Sequence, residues 1–311
     1  MAVGGQSGAM RKVAKAGMAR RWPVVGVLVF AATVSGACHH VGGLAPSALG
    51  LFVSSQKPAD AVSLANRLGV QLQGISAYTD GRSWAAIGGY QPPSTNLRLY
   101  LSVSMAPDNG SPAQTPSNLA VYRQLAQNLV NAGQSDAIVR VGWEWSTTFF
   151  SWGQQTDTPS QYVTAFDDIV STMRSVPGQN FLFDWCTAAG AVPTVGTFDQ
   201  WYPGDGYVDY VGTDLYDNPT VTWDQGLQMT GGLGYIANFA RAHGKPMSIP
   251  EWGLSGGDDP TFIDDVHAFI ADTNNRVAYS SYFSDNAVVN SDITQFPSSE
   301  TEFTKDFGGY G

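Results

Sequence analysis

Two glutamates occupy matching positions in this sequence. Glu144 follows an apolar run and lies between Trp143 and Trp145, while Glu251 ends a second apolar run and precedes Trp252. The chain has only four glutamates, and the other two lie in a polar C-terminal segment. Charged groups are seldom buried at the end of an apolar strand without a partner. We therefore predict that Glu144 and Glu251 face each other in one site as a carboxyl pair.

A pair of carboxyl groups beside aromatic rings suits the cleavage of a glycosidic bond. One group must be protonated to assist the leaving oxygen, and the other must be ionised to attack or to activate water. Tryptophan faces can stack on sugar rings, and their low polarity raises the pKa of a neighbouring acid. This chemistry needs no metal and no cofactor, and the four histidines form no metal-binding motif. The alternative is that each glutamate pairs with a buried Arg or Lys and only stabilises the fold.

The composition indicates a sizeable, acidic folded domain. Of the 311 residues, 43% are hydrophobic and 14% are charged, and the formal net charge is -10. A chain with this charge is not expected to bind nucleic acid or an anionic membrane surface. A neutral polysaccharide or oligosaccharide is a compatible partner. We expect the protein to be a monomer.

The first 37 residues are predicted to be a signal peptide. Basic residues without any acidic neighbour precede an apolar stretch, and small residues follow it. Residues 38–48 are interpreted as a linker and residues 49–311 as one catalytic domain. Cys38 resembles the acceptor cysteine of a bacterial lipoprotein, but Ser35 replaces the usual aliphatic residue, so lipid attachment is left open, as is an uncleaved membrane anchor. The protein is expected to be secreted or attached to the outer face of a bacterial cell envelope.

Short apolar runs alternate with helical patterns along the rest of the chain. Eight strands separated mostly by helices require parallel crossovers, and they predict an α/β protein with a (β/α)8 TIM barrel. An open doubly wound sheet is disfavoured because no glycine-rich loop follows the first strand. The predicted strands are Gly50–Ser55, Gln73–Tyr78, Arg98–Ser104, Ala137–Trp143, Asn180–Trp185, Tyr207–Tyr216, Pro246–Pro250 and Arg276–Phe283. The predicted helices are Pro58–Leu68, Ser117–Asn131, Pro159–Arg174, Leu233–Ala242, Thr261–Ala271 and Glu300–Phe307. The catalytic groups of such barrels lie at the carboxyl ends of strands, where Glu144 and Glu251 follow the fourth and seventh strands.

Three segments resemble the family 26 glycoside hydrolases of clan A, whose typical members are β-mannanases. The segment Tyr202–Asp217 is similar to the sixth-strand signature of this family. The segment Gly244–Gly253 is similar to the stretch that ends at its nucleophile. The segment Arg140–Gly153 places an Arg four residues before a Glu and a Trp-Gly pair after it, as the family does. The resemblance covers the middle and later parts of the chain and implies a (β/α)8 barrel.

The resemblance implies a role for each matching residue. Glu144 would be the acid/base and Glu251 the nucleophile of a retaining, double-displacement mechanism. Tyr216 would bond to the nucleophile or border the sugar. Arg140 would support the site from beneath, and Trp152 would form part of a sugar-stacking wall. From the aromatic residues near the expected barrel mouth, we also select Trp143 and Trp252 as sugar-binding residues.

Two departures from the family concern the substrate. The family usually has His directly before the acid/base, where this chain has Trp143, and its strand-eight Trp is absent, with Tyr282 in that region. The expected activity is hydrolysis of a β-linked polysaccharide by an endo-β-mannanase-like enzyme, with a mannan-type substrate favoured. The alternatives are a hydrolase of the same class that acts on a β-glucan, a β-xylan or a cell-envelope glycan, or a non-catalytic carbohydrate-binding barrel. A serine hydrolase is disfavoured, because the G-x-S-x-G match at 253–257 lacks a suitably placed later His.

Overall fold

Eight parallel strands close into a barrel in the computed structural model, which describes residues 47–154, 157–255 and 257–308. Each strand pairs with its neighbours in chain order, and β1 closes the barrel against β8. The strands are β1 Ala48–Val53, β2 Gly74–Tyr78, β3 Arg98–Val103, β4 Ile138–Val141, β5 Leu182–Ala188, β6 Tyr210–Tyr216, β7 Met247–Gly253 and β8 Val277–Ser284. The predicted (β/α)8 TIM barrel is therefore confirmed. The predicted signal peptide, Cys38 and most of the predicted linker lie outside the described residues.

Helices cover the outside of the barrel between successive strands. They are α1 Pro58–Leu68, α2 Trp84–Gly88, α3 Leu119–Asn131, α4 Pro159–Arg174, α5 Trp223–Gln228, α6 Leu233–Ala242, α7 Pro260–Ala271 and α8 Pro297–Phe307. Short 3-10 turns occur at Pro112–Ser117, Phe198–Trp201 and Ile293–Gln295. None of the helices in the described part of the chain is long and apolar enough to cross a membrane.

Local sequence explains most helix boundaries. Helix α1 has Pro58 in its first turn and ends at Gly69, whose φ of 65° suits a residue without a Cβ. Helix α4 begins with a capping box in which Thr158 and Gln161 exchange hydrogen bonds. The last helix begins at Pro297 rather than at the predicted Glu300, because Pro fits the first helical position without the loss of a hydrogen bond.

A bulge in β7 decides which of its side chains enter the barrel. Gly212 on β6 pairs with Ser248, but Asp214 pairs with Glu251, so β7 contains one more residue than β6 between these pairs. Pro250 lies in this stretch, where its missing N–H fits an irregular ladder. Ser248 points inward, and the extra residue brings Glu251 to the same inward face. Trp252 must then point outward because side chains alternate along a strand.

Tyrosine rings fill the amino end of the barrel. Tyr100 and Tyr279 lie with ring centroids 4.6 Å apart, and both are buried. Gly50 and Gly74 provide the space for Tyr100, since a Cβ at Gly74 would lie 2.2 Å from the Cζ atom of that ring. A side chain at either glycine would thus displace the ring that closes this end.

A polar layer lies above the tyrosines, in the middle of the barrel. Ser76 donates to Ser281 at 2.7 Å. Asp184 accepts from Ser248 at 2.6 Å and from Tyr279 at 2.5 Å through the same oxygen, Oδ2. Its other oxygen, Oδ1, has no hydrogen-bond partner among the described residues. Burial raises the pKa of Asp184 to about 6.

Candidate active site

The segment after β4 places Glu144 by an unusual backbone conformation. The strand ends at Val141, two residues before the predicted end, and Gly142 and Glu144 both have positive φ values, of 53° and 50°. Such a φ costs a non-glycine residue on the order of 1–3 kcal/mol and persists only where the surroundings hold it. Here the N–H of Glu144 donates to the carbonyl of Cys186 on β5 at 2.9 Å, and Thr147 donates to the carbonyl of Glu144.

This turn separates the two tryptophans beside Glu144. Trp145 is fully buried and stacks between Trp185 and Trp201, with centroid distances of 5.3 and 5.0 Å. Trp143 instead lies at the site, where its ring meets the edge of Tyr78 at 5.4 Å. One tryptophan therefore anchors the turn in the core, and the other borders the carboxyl groups.

Glu251 enters the barrel mouth from β7 and receives three hydrogen bonds. Tyr216 donates to Oε1 at 2.6 Å. Tyr78 and Arg140 both donate to Oε2, Arg140 at 3.0 Å. Since only donors face its two oxygens, Glu251 acts as an acceptor, and its orientation is fixed from three sides.

Arg140 and Asp214 form a buried ion pair beneath Glu251. The Nη1 atom of Arg140 lies 2.6 Å from both carboxylate oxygens of Asp214, and its Nε donates to Ser102 at 2.9 Å. Burial lowers the pKa of Arg140, but the acidic groups around it, Asp214 foremost, together outweigh burial and hold that pKa above its usual value. The guanidinium therefore remains charged and supports Glu251 from beneath, where the resemblance placed Arg140.

Glu144 and Glu251 lie together at the carboxyl end of the barrel. One oxygen from each of Glu144, Asp214 and Glu251 lies within 4.8 Å of the others. Burial raises the pKa of Glu144 to about 8, the negative charge of Glu251 adds to this rise, and Arg140 opposes it. At neutral pH this raised pKa keeps Glu144 mostly protonated, while the three donors around Glu251 hold it as a hydrogen-bond acceptor.

This separation distinguishes two modes of glycoside cleavage. Carboxyl groups about 5–5.5 Å apart suit a retaining reaction, whereas inverting enzymes place them about 6.5–9.5 Å apart to admit a water. One oxygen of Glu144 lies within 4.8 Å of one oxygen of Glu251, an approach that is compatible with the shorter spacing. The site can therefore protonate a leaving oxygen with one group while the other attacks carbon.

Two of the aromatic predictions need correction. The side chain of Trp252 is fully buried outside the barrel, where it meets Tyr282 at 5.0 Å and Phe303 of α8 at 5.9 Å, so it presents no face to a sugar. Trp152 is also buried, stacked 4.8 Å from Phe150, and its indole N–H donates to the carbonyl of Trp143 at 2.8 Å. It supports the site from behind rather than lining it.

Sequence reasoning left other site residues unassigned. Tyr78 is not among the residues selected from the sequence, although it ends β2 and a strand end was the signal that identified Glu144. Asp214 was also not selected, although it lies on β6 two residues before Tyr216 and pairs with Arg140. Cys186 is buried on β5 and donates to Asp214 at 3.2 Å.

Among the described residues, two groups of carboxyl side chains could hold a cation by spacing alone. The first is the set of Glu144, Asp214 and Glu251, into which the guanidinium of Arg140 already brings positive charge. The second lies on α7 and α8 around Lys305, whose Nζ lies within 4.0 Å of each member. Its members are Asp264, which is exposed, and Glu302 and Asp306, which are half-buried. In each group a cationic side chain of the protein offsets part of the carboxylate charge.

Sequence comparison finds relatives among polysaccharide-degrading enzymes. A β-1,3-xylanase from Alcaligenes sp. is 25% identical over 136 residues, which cover 42% of this chain and 28% of the relative. A β-1,3-xylanase from Vibrio sp. is 24% identical over 238 residues, which cover 70% of this chain and 48% of the relative. The chain thus spans less than half the length of either curated relative.

Structural and family comparisons agree on the fold. A GH26 β-mannanase from Bacteroides ovatus superposes with a TM-score of 0.60 and 15% identity, covering 85% of this chain and 89% of that structure. The sequence model of glycosyl hydrolase family 26 matches residues 27–248, well over half of the chain and up to three residues before Glu251. On this match, the chain belongs to glycosyl hydrolase family 26.

Proposed function

We propose that this protein is a retaining glycoside hydrolase that cleaves a β-linked polysaccharide by double displacement. The observation that carries the proposal is the asymmetry of two carboxyl groups within 4.8 Å of each other. The pKa of Glu144 is raised to about 8, while Glu251 is held by three hydrogen-bond donors. A general acid and a nucleophile need this difference in protonation.

In the first step, Glu251 attacks the anomeric carbon while Glu144 gives its proton to the departing glycosidic oxygen. The carbon–oxygen bond to the leaving sugar breaks, and an ester bond forms between the carbon and Glu251. The hydrogen bond from Tyr216 and the charge of Arg140 orient the attacking carboxylate. Orientation of this kind converts the attack into an intramolecular reaction.

In the second step, the ionised Glu144 takes a proton from a water molecule, which attacks the same carbon. The ester bond breaks, the carboxylate of Glu251 is restored, and Glu144 is protonated again. Two inversions at one carbon return the product with the configuration of the substrate. Loss of the negative charge on Glu251 in the ester also lowers the pKa of Glu144, because that charge helped to raise it.

We favour a mannan-type substrate for this reaction. The chain shares its family and fold with the β-mannanase of Bacteroides ovatus. A β-1,3-xylan is the second candidate, because both curated relatives described above are β-1,3-xylanases. The family usually has His where this chain has Trp143. This difference concerns which sugar is bound and not the type of reaction.

The test is a panel of mannan, glucomannan, β-1,3-xylan, β-1,4-xylan and mixed-linkage glucan, with new reducing ends as the readout. We expect cleavage of mannan by the wild type and none by Glu251→Ala. A matched control, Glu302→Ala, removes a half-buried glutamate on α8, outside the proposed site, and should retain full activity. Proton NMR of the first product should show the β-anomer. An α-anomer, or cleavage that survives in Glu251→Ala, would refute the mechanism, and cleavage of β-1,3-xylan alone would replace mannan as the substrate.

We also propose that residues 1–37 direct export and that the mature enzyme is a monomer on or outside the cell. If Cys38 is the lipid acceptor, cells grown with radiolabelled palmitate should incorporate the label into the wild-type protein but not into a Cys38→Ser variant. Absence of label with secretion intact would indicate a soluble exported enzyme. Light scattering of the purified protein tests the expected monomer.

A further inference from the structure

The exposed apolar side chains of the described residues are unevenly distributed. Large hydrophobic side chains are exposed at four positions: Phe149 at 49%, Val192 at 59%, Val195 at 40% and Val62 at 40%. The first three lie on the loops that follow β4 and β5, at the carboxyl end of the barrel, and only Val62 lies on an outer helix, α1. Single exposed apolar residues are ordinary, and these three are set apart by their position at the end of the barrel that holds the catalytic pair.

The loop that carries Val192 and Val195 is fastened to the loop that carries Glu144. The buried side chain of Gln154 donates to the carbonyls of Ser146 and Val192, the latter at 3.0 Å. Its Oε1 accepts from the N–H of Thr194 and from the Thr194 hydroxyl, the latter at 3.0 Å. One glutamine therefore binds both loops, and it holds the backbone from which Val192 projects.

A second set of contacts brings this loop next to the acid/base. The hydroxyl of Ser146, two residues after Glu144, lies 2.6 Å from the hydroxyl of Thr187 and accepts from the N–H of Ala188 at 3.2 Å. The loop also carries no charged side chain between Cys186 and Phe198. In a chain with a net charge of -10, this uncharged stretch suits a neutral ligand rather than an ionic one.

The proposed reaction fixes where the leaving sugar must lie. The nucleophile Glu251 attacks from β7, and the departing oxygen leaves from the opposite face of the anomeric carbon, toward its proton donor Glu144 after β4. The sugars on the leaving-group side therefore begin beside Glu144. Of the two loops that flank β4, those after β3 and after β5, the loop after β5 is the one that carries exposed large apolar side chains. Val192 and Val195 are exposed on the second of these loops.

We propose that Val192 and Val195 form a binding surface for the leaving-group side of a neutral β-linked polysaccharide, in contact with the C–H faces of sugar units beyond the cleavage point. This inference rests on the proposed function and adds the direction in which the substrate is bound. Two aliphatic side chains on a loop held by hydrogen bonds provide apolar contact with the sugars. Unlike an aromatic side chain, they do not require each sugar ring to stack in one orientation.

The test compares a Val192→Ser/Val195→Ser double variant with Val62→Ser, which makes the same change at a valine on α1 that is as exposed as Val195. Two substrates are used: the polysaccharide that the wild type cleaves, and a nitrophenyl glycoside of its oligosaccharide, which has no sugar on the leaving side. We expect the double variant to lose about tenfold in kcat/KM on the polysaccharide, as two partly buried apolar contacts would provide, and to keep its activity on the nitrophenyl glycoside. Val62→Ser should change neither.

A binding assay separates this proposal from the proposed function. In a Glu251→Ala background, polysaccharide embedded in a native gel should retard the parent protein and the Val62→Ser variant more than the double variant. If the wild type cleaves nothing in the panel, the proposed function fails and gel retardation alone decides this proposal. Equal retardation, no retardation, or an equal loss on both substrates would overturn it. So would a wild-type dimer that the double variant dissociates, since the surface would then bind a second copy.

Discussion

The raised pKa of Glu144 makes a quantitative prediction about pH. With a pKa of about 8, roughly nine-tenths of Glu144 is protonated at pH 7 and roughly one-tenth at pH 9. Because the polysaccharide needs a proton on its leaving oxygen, kcat/KM should fall about tenfold per pH unit above pH 8. A carboxyl group with an ordinary pKa would instead place this decline more than three units lower, near its usual value of about 4.3.

The assay uses a second substrate to assign the decline to Glu144. A 2,4-dinitrophenyl glycoside has a leaving group that departs without protonation, so its kcat/KM should stay level between pH 7 and pH 9. A Glu144→Gln variant should lose on the order of 10²–10⁴-fold in kcat/KM on the polysaccharide and keep most of its kcat/KM on the dinitrophenyl glycoside.

Two results would refute this reasoning. If both substrates show the same decline near pH 8, the ionising group is not the proton donor. If the polysaccharide profile declines near pH 5, burial and the charge of Glu251 do not raise the pKa of Glu144 as the structure indicates.

Three further predictions concern residues around the pair. Tyr216→Phe removes the 2.6 Å hydrogen bond to Glu251. The value of kcat/KM on the polysaccharide should fall roughly 10- to 150-fold, and the melting temperature should not change. A loss of less than threefold would show that Tyr216 does not orient the nucleophile. The pKa of Asp184 is raised to about 6, so its stabilising contribution is complete below its unfolded pKa of about 4 and disappears as the pH rises through 6. The unfolding free energy of Asp184→Asn, relative to that of the wild type, should therefore rise by about 3 kcal/mol between pH 4 and pH 8. Urea titration at each pH measures this difference, and a difference that stays constant with pH would contradict the raised pKa. Trp252→Ala should lower the unfolding free energy by about 3–5 kcal/mol, because it empties a packed position against α8. The folded variant should keep the wild-type KM for the polysaccharide. A raised KM would show that Trp252 contacts the sugar.

The barrel could be predicted from the sequence because its signals are local and repeated. Each strand is a short apolar run, and the longer helices carry Pro or Gly at a boundary, as at Pro58 and Gly69. The carboxyl ends of parallel strands meet at one end of a barrel, so Glu144 and Glu251 could be brought together without any knowledge of distances. Helices α2 and α5 were missed because five or six residues are too few to show a helical period.

The assignment of Trp252 to the sugar site failed where the backbone departs from a regular strand. Alternation alone places Glu251 and Trp252 on opposite faces, and the bulge at Pro250 decides that the glutamate is the inward one. The positive φ of Glu144 similarly turns Trp145 into the core and leaves Trp143 at the site. Pro250 is a local sign of an irregular ladder. Pairing with residues far away in the sequence decides which side chain points inward in each case: β6 pairs with β7, and Cys186 accepts from the N–H of Glu144.

The tyrosine closure at the amino end of the barrel has a consequence for the fate of the covalent intermediate. Tyr100 and Tyr279 block passage through the described barrel from below, so the water of the second step must arrive by the cleft that the first product vacates. A sugar that lingers in that cleft excludes water and holds its own hydroxyl near the ester. Slow product departure would therefore favour transfer of the bound sugar to another sugar chain over hydrolysis. The ratio of transfer to hydrolysis would depend on the concentration of the acceptor sugar rather than on the two carboxyl groups.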